Sequence, residues 1–441
     1  MSSNLYSIGL SGLQSSNARI NTTGHNTTNV NTEGYSRQRT DVVSSPAGGV
    51  VLRDTGRLVD QFVSSQIRSD TSEFNYYDTY RSMMSMSDEL FSEESVSLSG
   101  YLDSAFTALQ NANNDPTSSS LRQLAHASLN NLVEQYNSLS NLVTRQEDLA
   151  DDQISTSLVD INSITAKMSD LNGKILREES LSTSPANELR DQQELLAKEL
   201  SEYLDIKAQF DKNGLMTVQL TNGQPLLMDQ KPTELKMVTN PLDPNTPSLE
   251  VDFGTHRVGL KSSSLGGSVG GLMDFRSEFS ALADRTLGQN AIAIADAMNM
   301  QNGKGLDANG RMGGELFAMG DISIHSTQDN AHKLDNISVK VSAGEAAKIT
   351  KETFELAKIS DSQLVLKRYD ASGQSSGQSL LFDPTNMTPD AQGYYKIEEL
   401  GLDIRVADMA LIDNNDVFRF TPTQGASANL AMQVSILAFI C

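Results

Sequence analysis

The residue types that most often perform catalysis or bind metals are sparse and scattered in this sequence. The single cysteine, Cys441, is the last residue, so one chain can form neither a disulfide nor a cysteine-based zinc site. Residues 305–310 (GLDANG) faintly resemble a calcium loop but lack its later carboxylates and its bidentate glutamate. No HExxH spacing occurs. The five histidines are His25, His126, His256, His325 and His332. We therefore predict no catalytic residues, no metal ligands and no bound cofactor.

Charge and composition exclude several classes of protein. The formal net charge of −22 argues against binding to nucleic acid or to anionic membrane surfaces. No apolar run approaches the length of a membrane span, so we predict no membrane insertion. Hydrophobic residues make up 38% of the chain and aromatic residues 6%, which suits long helices with narrow apolar stripes and small β modules.

Residues 21–39 (NTTGHNTTNVNTEGYSRQR) form an unusually polar stretch near the N-terminus. Asparagine and glycine tolerate left-handed backbone conformations, and short Asn and Thr side chains bond to neighbouring backbone groups. The stretch is therefore predicted to be an ordered turn. By itself, such a turn is most simply interpreted as a surface connector.

Apolar residues spaced three and four positions apart predict helices over residues 3–20, 60–91, 118–175, 187–204 and 264–301. The longest pattern repeats every 3.5 residues and predicts a helix on the order of 80 Å long, packed lengthwise on others. Two arrangements are compatible with it, a free coiled-coil dimer or one arm of an intramolecular helical rod. The polar residues Gln146 and Asn172 on the stripe favour the second.

Alternating apolar residues predict two β insertions, over residues 206–260 and 321–422, with Gly, Asn and Asp at the turns. The predicted fold is mainly α, a long helical rod or coiled-coil-like bundle with two inserted β domains, and thus a multidomain α+β protein. The predicted segments are 1–55 (N-terminal helix and signature loop), 56–205 (helical rod), 206–262 (small β insertion), 263–318 (rod continuation), 319–425 (outer β domain) and 426–441 (a truncated or aberrant end).

The polar stretch and the helix before it resemble the N-terminal signature of bacterial flagellar axial proteins, the rod, hook and hook-associated proteins. Thr27 and Thr28 replace the usual Ile-Ala, and His25 replaces an Asn. The continuation Ser36-Arg37-Gln38, the run 187–193 (NELRDQQ) and the run 270–276 (GGLMDFR) are similar to the hook-associated members that join hook to filament. The residues that carry the predicted axial-core assembly signature are Leu10, Leu13, Asn26, Asn29, Asn31, Thr32, Gly34, Tyr35, Ser36 and Arg37.

The resemblance implies a structural adaptor between hook and filament, with hook protein, a second junction protein and other copies of this chain as partners. It also implies export by the flagellar type III apparatus with an export chaperone and without a cleaved signal peptide, to an extracellular location in the flagellum. The family's C-terminal helices, and with them the usual chaperone site, are not recognisable in this sequence. Residues 1–50 are therefore expected to lack the helix that normally pairs with them.

Three other functions remain open from the sequence. The chain could be another axial subunit, although hook protein is mostly β and has no comparable helical run. It could be a secreted adhesin that binds through the β region 321–422. An appended hydrolase domain is the third possibility, but this region has no clustered histidines and carboxylates.

Overall fold

The computed structural model describes residues 2–46, 48–93, 97–181, 184–212, 214–240, 242–306, 310–326, 334–370, 373–414 and 416–433. Two compact units emerge. The first comprises Met1–Arg81, Gln153–Val238 and Ser248–Met273, and the second Ser82–Asp152, Thr239–Pro247 and Asp274–Cys441. Long helices and several sheets confirm the predicted mixed α+β multidomain class. The division into six segments stays a prediction.

The helices account for the apolar periodicity of the sequence. They are α1 Ser2–Thr28, α2 Gln61–Phe91, α3 Leu98–Asn114, α4 Ser119–Leu181, α5 Asn187–Tyr203, α6 Gly267–Asp274 and α7 Ala281–Asn302, with a π-helical segment Phe275–Ser280 between the last two. The helices predicted over 60–91, 118–175 and 187–204 are confirmed as α2, α4 and α5.

The predicted boundary between the N-terminal helix and the polar turn was wrong. Helix α1 continues through residues 21–28, which were assigned to the turn. In this part of the helix the hydroxyls of Thr22, Thr23 and Thr27 each donate to the carbonyl four residues earlier. Such back-bonding satisfies the hydroxyls within the helix, so the threonines do not end it.

In the first unit, α4 and α5 pack against a small β meander. Its strands are β3 Ile206–Phe210, β4 Met216–Leu220, β5 Pro225–Met228 and β6 Lys231–Pro232, followed by a sheet of β7 Glu234–Asn240, β8 Asp243–Asp252 and β9 Arg257–Leu260. Asn172 of α4 is fully buried, donates to the Met216 carbonyl at 2.9 Å and accepts from the Met216 N–H at 3.0 Å. Its carbonyl oxygen also accepts from Gln193 Nε2 of α5 at 2.6 Å. The polar position on the stripe therefore faces partners in the same chain.

The N-terminal part of the first unit contains a β-hairpin, β1 Gln38–Ser44 and β2 Val50–Arg57. The sequence predicted no strands here. Three threonine hydroxyls connect the hairpin to α1. The Thr40 Oγ1 of β1 lies 2.6 Å from the Thr22 Oγ1 of α1 and 2.9 Å from the Thr55 Oγ1 of β2.

In the second unit, helices α3 and α7 pack on the first part of α4 around Ala105, Leu129, Tyr136 and Ala291. A separate core of Phe354, Leu356, Phe382, Phe418 and Phe420 belongs to the β region. The strands are β10 Phe317–Ala318, β11 Ile324–Ser326, β12 Ile337–Val341, β13 Thr353–Ser360, β14 Gln363–Tyr369, β15 Ser375–Phe382, β16 Tyr395–Ile397, β17 Leu402–Val406, β18 Val417–Phe420 and β19 Ala431–Met432.

These strands form a five-stranded sheet in the order β11-β18-β13-β14-β15, a three-stranded sheet β12-β17-β16 and the pair β10-β19. The β structure predicted over residues 321–422 is confirmed by these strands. The calcium-like run 305–310 falls partly on residues 307–309, which lie outside the described residues.

Candidate assembly site

Helix α1 presents an apolar surface to solvent. Leu10 is 43% exposed and Leu13 66% exposed, and Leu5, Tyr6 and Ile20 are exposed as well. A helix this polar, with its apolar residues uncovered, gains little stability from packing. The two predicted signature leucines therefore lie where another helix could contact them.

Asn26 joins the end of α1 to the start of β1. Its side-chain nitrogen donates to the Gln38 carbonyl at 2.9 Å, and its Oδ1 accepts from the Gln38 N–H at 2.8 Å. The same oxygen accepts from the Tyr35 hydroxyl at 2.8 Å. The side-chain amide of Asn26 thus bonds to the backbone of β1 as a neighbouring strand would. It also closes the loop between Thr28 and Gln38.

Turn hydrogen bonds account for the next signature positions. Asn29 donates to the His25 carbonyl from its backbone N–H at 3.2 Å and from Nδ2 at 3.0 Å, so it bonds twice to one of the last carbonyls of α1. The Thr32 hydroxyl donates to Asn29 Oδ1 at 3.3 Å, and the Tyr35 N–H donates to the Thr32 carbonyl at 3.2 Å. These short-range bonds confirm the prediction of an ordered turn, although it begins only after Thr28.

Gly34 and Ser36 bring the loop against α5. Gly34 has φ +77°, a conformation that favours glycine, and a Cβ there would lie 3.2 Å from the Leu195 Cβ. Two residues on, the Ser36 N–H donates to Asp191 Oδ2 at 3.1 Å. The loop therefore needs glycine at this point of contact.

Asp191 also contacts the end of the second hairpin strand. Arg57, the last residue of β2, places its Nε 2.7 Å from Asp191 Oδ1, and both side chains are only 9% exposed. Asn187, one turn earlier on α5, donates from Nδ2 to the Thr55 carbonyl at 2.6 Å.

The electrostatics of the loop keep its tyrosine protonated. Burial, and then the negative charges of Asp191 and Glu188, raise the pKa of Tyr35. A protonated phenol can donate, which is what the hydrogen bond to Asn26 requires.

The predicted signature residues thus divide into two sets. Asn26, Asn29, Thr32, Gly34, Tyr35 and Ser36 make contacts that fix the loop. The remaining residues are exposed, namely Leu10, Leu13, Asn31 and Arg37.

Sequence reasoning missed Asp191, Asn187 and Arg57 as residues that hold the signature. The run 187–193 was identified as part of the family resemblance, but nothing in it indicated the N-terminal loop as its partner. The only available signal was the spacing of Asn187 and Asp191, which places both on one face of a helix.

Neither a metal site nor a membrane span is found in the part of the chain that the structure describes. Within those residues, no group of three or more His, Cys, Asp or Glu side chains could hold a metal ion. Among the described helices, none is both long and apolar enough to cross a membrane.

The chain is similar in sequence to known flagellar proteins. The sequence profile of the flagellar hook-associated protein FlgK helical domain matches residues 84–317. Flagellar hook-associated protein 1 of Salmonella typhimurium is 28% identical over 445 residues, which cover 98% of this chain and 77% of that protein. Flagellar hook-associated protein 1 of Bacillus subtilis is 26% identical over 347 residues, 69% of this chain and 68% of that protein.

A solved structure shares the fold. The flagellar hook junction protein FlgK from Burkholderia pseudomallei superposes with a TM-score of 0.71 at 24% identity. The match covers 85% of this chain and 66% of the solved chain.

Proposed function

Since this chain belongs to the flagellar hook-associated protein FlgK family, we propose that it is a structural adaptor that joins the flagellar hook to the filament by subunit packing. The match to the FlgK helical domain carries the proposal because it covers more than half of the chain. The similarity to flagellar hook-associated protein 1 extends over 98% of the chain, so it includes the N-terminal signature and most of the β region.

The exposed signature residues are the proposed contact surface. Leu10 and Leu13 would pack against helices of neighbouring subunits, because burying an exposed apolar side chain on association is favourable. The proposed partners are other copies of this chain, hook protein on one side and a second junction protein on the other. Burial of helix surface is sufficient for this role, which requires neither a cofactor nor a catalytic group.

The proposed location is outside the cell, at the flagellum. The chain would leave through the flagellar type III export apparatus without a cleaved signal peptide. The helical segments 56–205 and 263–318 would contribute to the axial structure, and the β domain over residues 319–425 would face outward.

The alternatives from the sequence are not favoured. An adhesin that binds through the β region would not require a chain similar to flagellar hook-associated proteins over nearly its whole length. Another axial subunit, such as hook protein, would not carry the FlgK helical domain.

Immunogold labelling of intact flagella with an antibody raised against residues 321–422 tests the proposal. A single narrow band between hook and filament is expected. Label along the whole filament would indicate a filament subunit, and the absence of flagellar label would contradict the adaptor function altogether.

A further inference from the structure

One face of α5 is devoted to the N-terminal loop and hairpin. Residues at positions 187, 191, 195 and 198 follow the i, i+4, i+8, i+11 spacing of a single helical face. We call Asn187, Asp191, Leu195 and Lys198 the α5 docking face. They contact, in order, the Thr55 carbonyl, Ser36 with Arg57, Gly34, and Glu33.

The opposite face of α5 anchors the helix independently of these contacts. Ala197 and Leu200 are fully buried, and Gln193 donates to the buried Asn172 of α4 at 2.6 Å. Helix α5 therefore keeps its place without the N-terminal segment. The segment, in contrast, depends on α5 for its placement, because its own helix leaves its apolar residues exposed.

The four contacts of the docking face differ in how much orientation they impose. Lys198 Nζ and Glu33 Oε1 are 3.4 Å apart, and the two side chains are 45% and 75% exposed. Solvent therefore screens this ion pair, and both side chains can move. Leu195 lies against Gly34 through apolar atoms. Apolar contact is non-directional, so it does not fix the orientation of the loop. Asp191 instead accepts a directional hydrogen bond from the Ser36 N–H and forms an ion pair with Arg57, from a carboxylate that is 9% exposed.

The two partners of Asp191 lie at the open end of the hairpin, where Gln38 at the start of β1 pairs with Arg57 at the end of β2. Ser36 precedes β1 and Arg57 ends β2, so a single carboxylate fixes both the entry and the exit of the hairpin. A buried ion pair contributes little net stability, because desolvation offsets the attraction, but it can specify one arrangement among several.

We infer that Asp191 is a positioning residue for assembly: through Ser36 and Arg57 it sets the direction in which the N-terminal loop and α1 are presented to neighbouring subunits. This inference rests on the proposed adaptor function. It assigns to α5, which carries none of the signature residues, control over how that signature meets its partners.

Two variants and one matched control test it. Asp191→Asn removes the charge with little change of shape, and Arg57→Gln removes the same ion pair from the other side. The control is Glu194→Gln on the same helix, because Glu194 pairs with Arg68 of α2 at 2.9 Å, is similarly shielded, and has its ion pair outside the hairpin.

Hydrogen exchange followed by mass spectrometry on the full chain reports the local effect. Exchange in peptides spanning residues 33–57 is expected to rise about tenfold in Asp191→Asn and in Arg57→Gln, and to stay unchanged in Glu194→Gln. The double variant is expected to resemble either single one, since both remove one interaction. The overall unfolding transition is expected to change little.

Immunogold labelling of cells that make each variant as their only junction protein reports the functional effect. Loss of the junction band in Asp191→Asn and Arg57→Gln, but not in Glu194→Gln, would support the inference. A normal band in these two variants would overturn it, whether or not exchange increased. Global loss of helical signal in both would also overturn it, because Asp191 would then be a general stability residue. A missing band with the unaltered chain would instead overturn the adaptor function itself.

Discussion

The Tyr35 hydroxyl donates a hydrogen bond of 2.8 Å to Oδ1 of Asn26, an oxygen that also accepts from the Gln38 N–H at the same distance. One asparagine near the end of α1 therefore closes the loop that leaves the helix and begins the strand that follows. The asparagines and the tyrosine of the family signature are separate positions in the sequence. In the structure, Asn26 and Tyr35 form one hydrogen-bonded unit.

These hydrogen bonds predict that substitutions in the unit lower the local stability of the hairpin by increasing amounts. Tyr35→Phe removes one of the bonds to Asn26, and we expect a loss of about 1 kcal/mol in local stability. Asn26→Ala removes all three and leaves the N–H and the carbonyl of Gln38 without this partner, so the loss should be roughly 2 kcal/mol. Exchange protection of Gln38 measures both.

Thr27→Ala is the matched control for that series, because the Thr27 hydroxyl bonds only within α1, to the Thr23 carbonyl. Protection of Gln38 should not change in this variant. Equal protection of Gln38 in Asn26→Ala and in the unaltered chain would contradict the closure that we describe.

Gly288 of α7 permits a close approach in the second unit. A Cβ at this position would lie 1.8 Å from the Thr423 carbonyl oxygen, a backbone atom that cannot rotate away. We expect Gly288→Ala to destabilise the second unit by about 3 kcal/mol or more, measured as a shift of its thermal transition.

Gly100 of α3 provides the comparison for Gly288, since it is also helical but has no atom within 4 Å of the added Cβ. Gly100→Ala should raise stability by up to about 1 kcal/mol, because alanine favours the helix. Opposite signs for the two substitutions are expected. A stabilising Gly288→Ala would mean that α7 and residues 421–428 are not packed as described.

Asn172 of α4 predicts a large effect in the first unit. Asn172→Ala would remove four bonds of a fully buried side chain, including two to Met216, and leave the β meander with unsatisfied backbone groups. We expect a loss of roughly 3 kcal/mol in urea unfolding. Lys174→Ala, at an exposed position two residues on, should change stability by less than about 0.5 kcal/mol. Similar losses for both would contradict the buried network.

The sequence predicted those helices and strands that follow from the spacing of apolar residues along a short stretch of chain. The apolar spacing predicted α4, whose apolar residues such as Leu129, Tyr136 and Ile161 are buried. Period-two patterns predicted the two β insertions, which contain β3, β4, β12 and β17. The interpretation of Asn172 as a sign of an intramolecular arm is consistent with its bonds to Met216.

The sequence could not predict contacts between distant segments. Ser36 and Asp191 are 155 positions apart, and no periodicity connects a backbone N–H in one loop to a carboxylate on a remote helix. The length of α1 was underestimated for a different reason. Threonine favours turns in general, but here several hydroxyls bond back into the helix, which only the three-dimensional arrangement reveals.

Glu147 of α4 predicts a pH dependence of stability in the second unit. It lines a cavity of about 380 Å³ together with Arg276, Asp284, Arg285 and Arg419. Burial raises its pKa to about 7, against an opposing effect of Arg276 and with smaller contributions from Asp284, Asp151 and Asp148. Burial also raises the pKa of Asp284, more than its hydrogen bond from the Gly425 N–H lowers it.

The sign of the effect follows from where the proton is bound. Between the ordinary pKa of 4.5 and about 7, folded Glu147 holds a proton that the unfolded chain has lost. The free energy of unfolding therefore falls as the pH rises through this window, by at most about 3 kcal/mol for this one group. Glu147→Gln stays neutral at every pH, so it should unfold at higher urea than the unaltered chain at pH 8 and at nearly the same urea at pH 4.5. A residual slope is expected from Asp284. If the stability of the unaltered chain rises between pH 5 and pH 7, or if Glu147→Gln keeps the full slope, Glu147 does not titrate in this way.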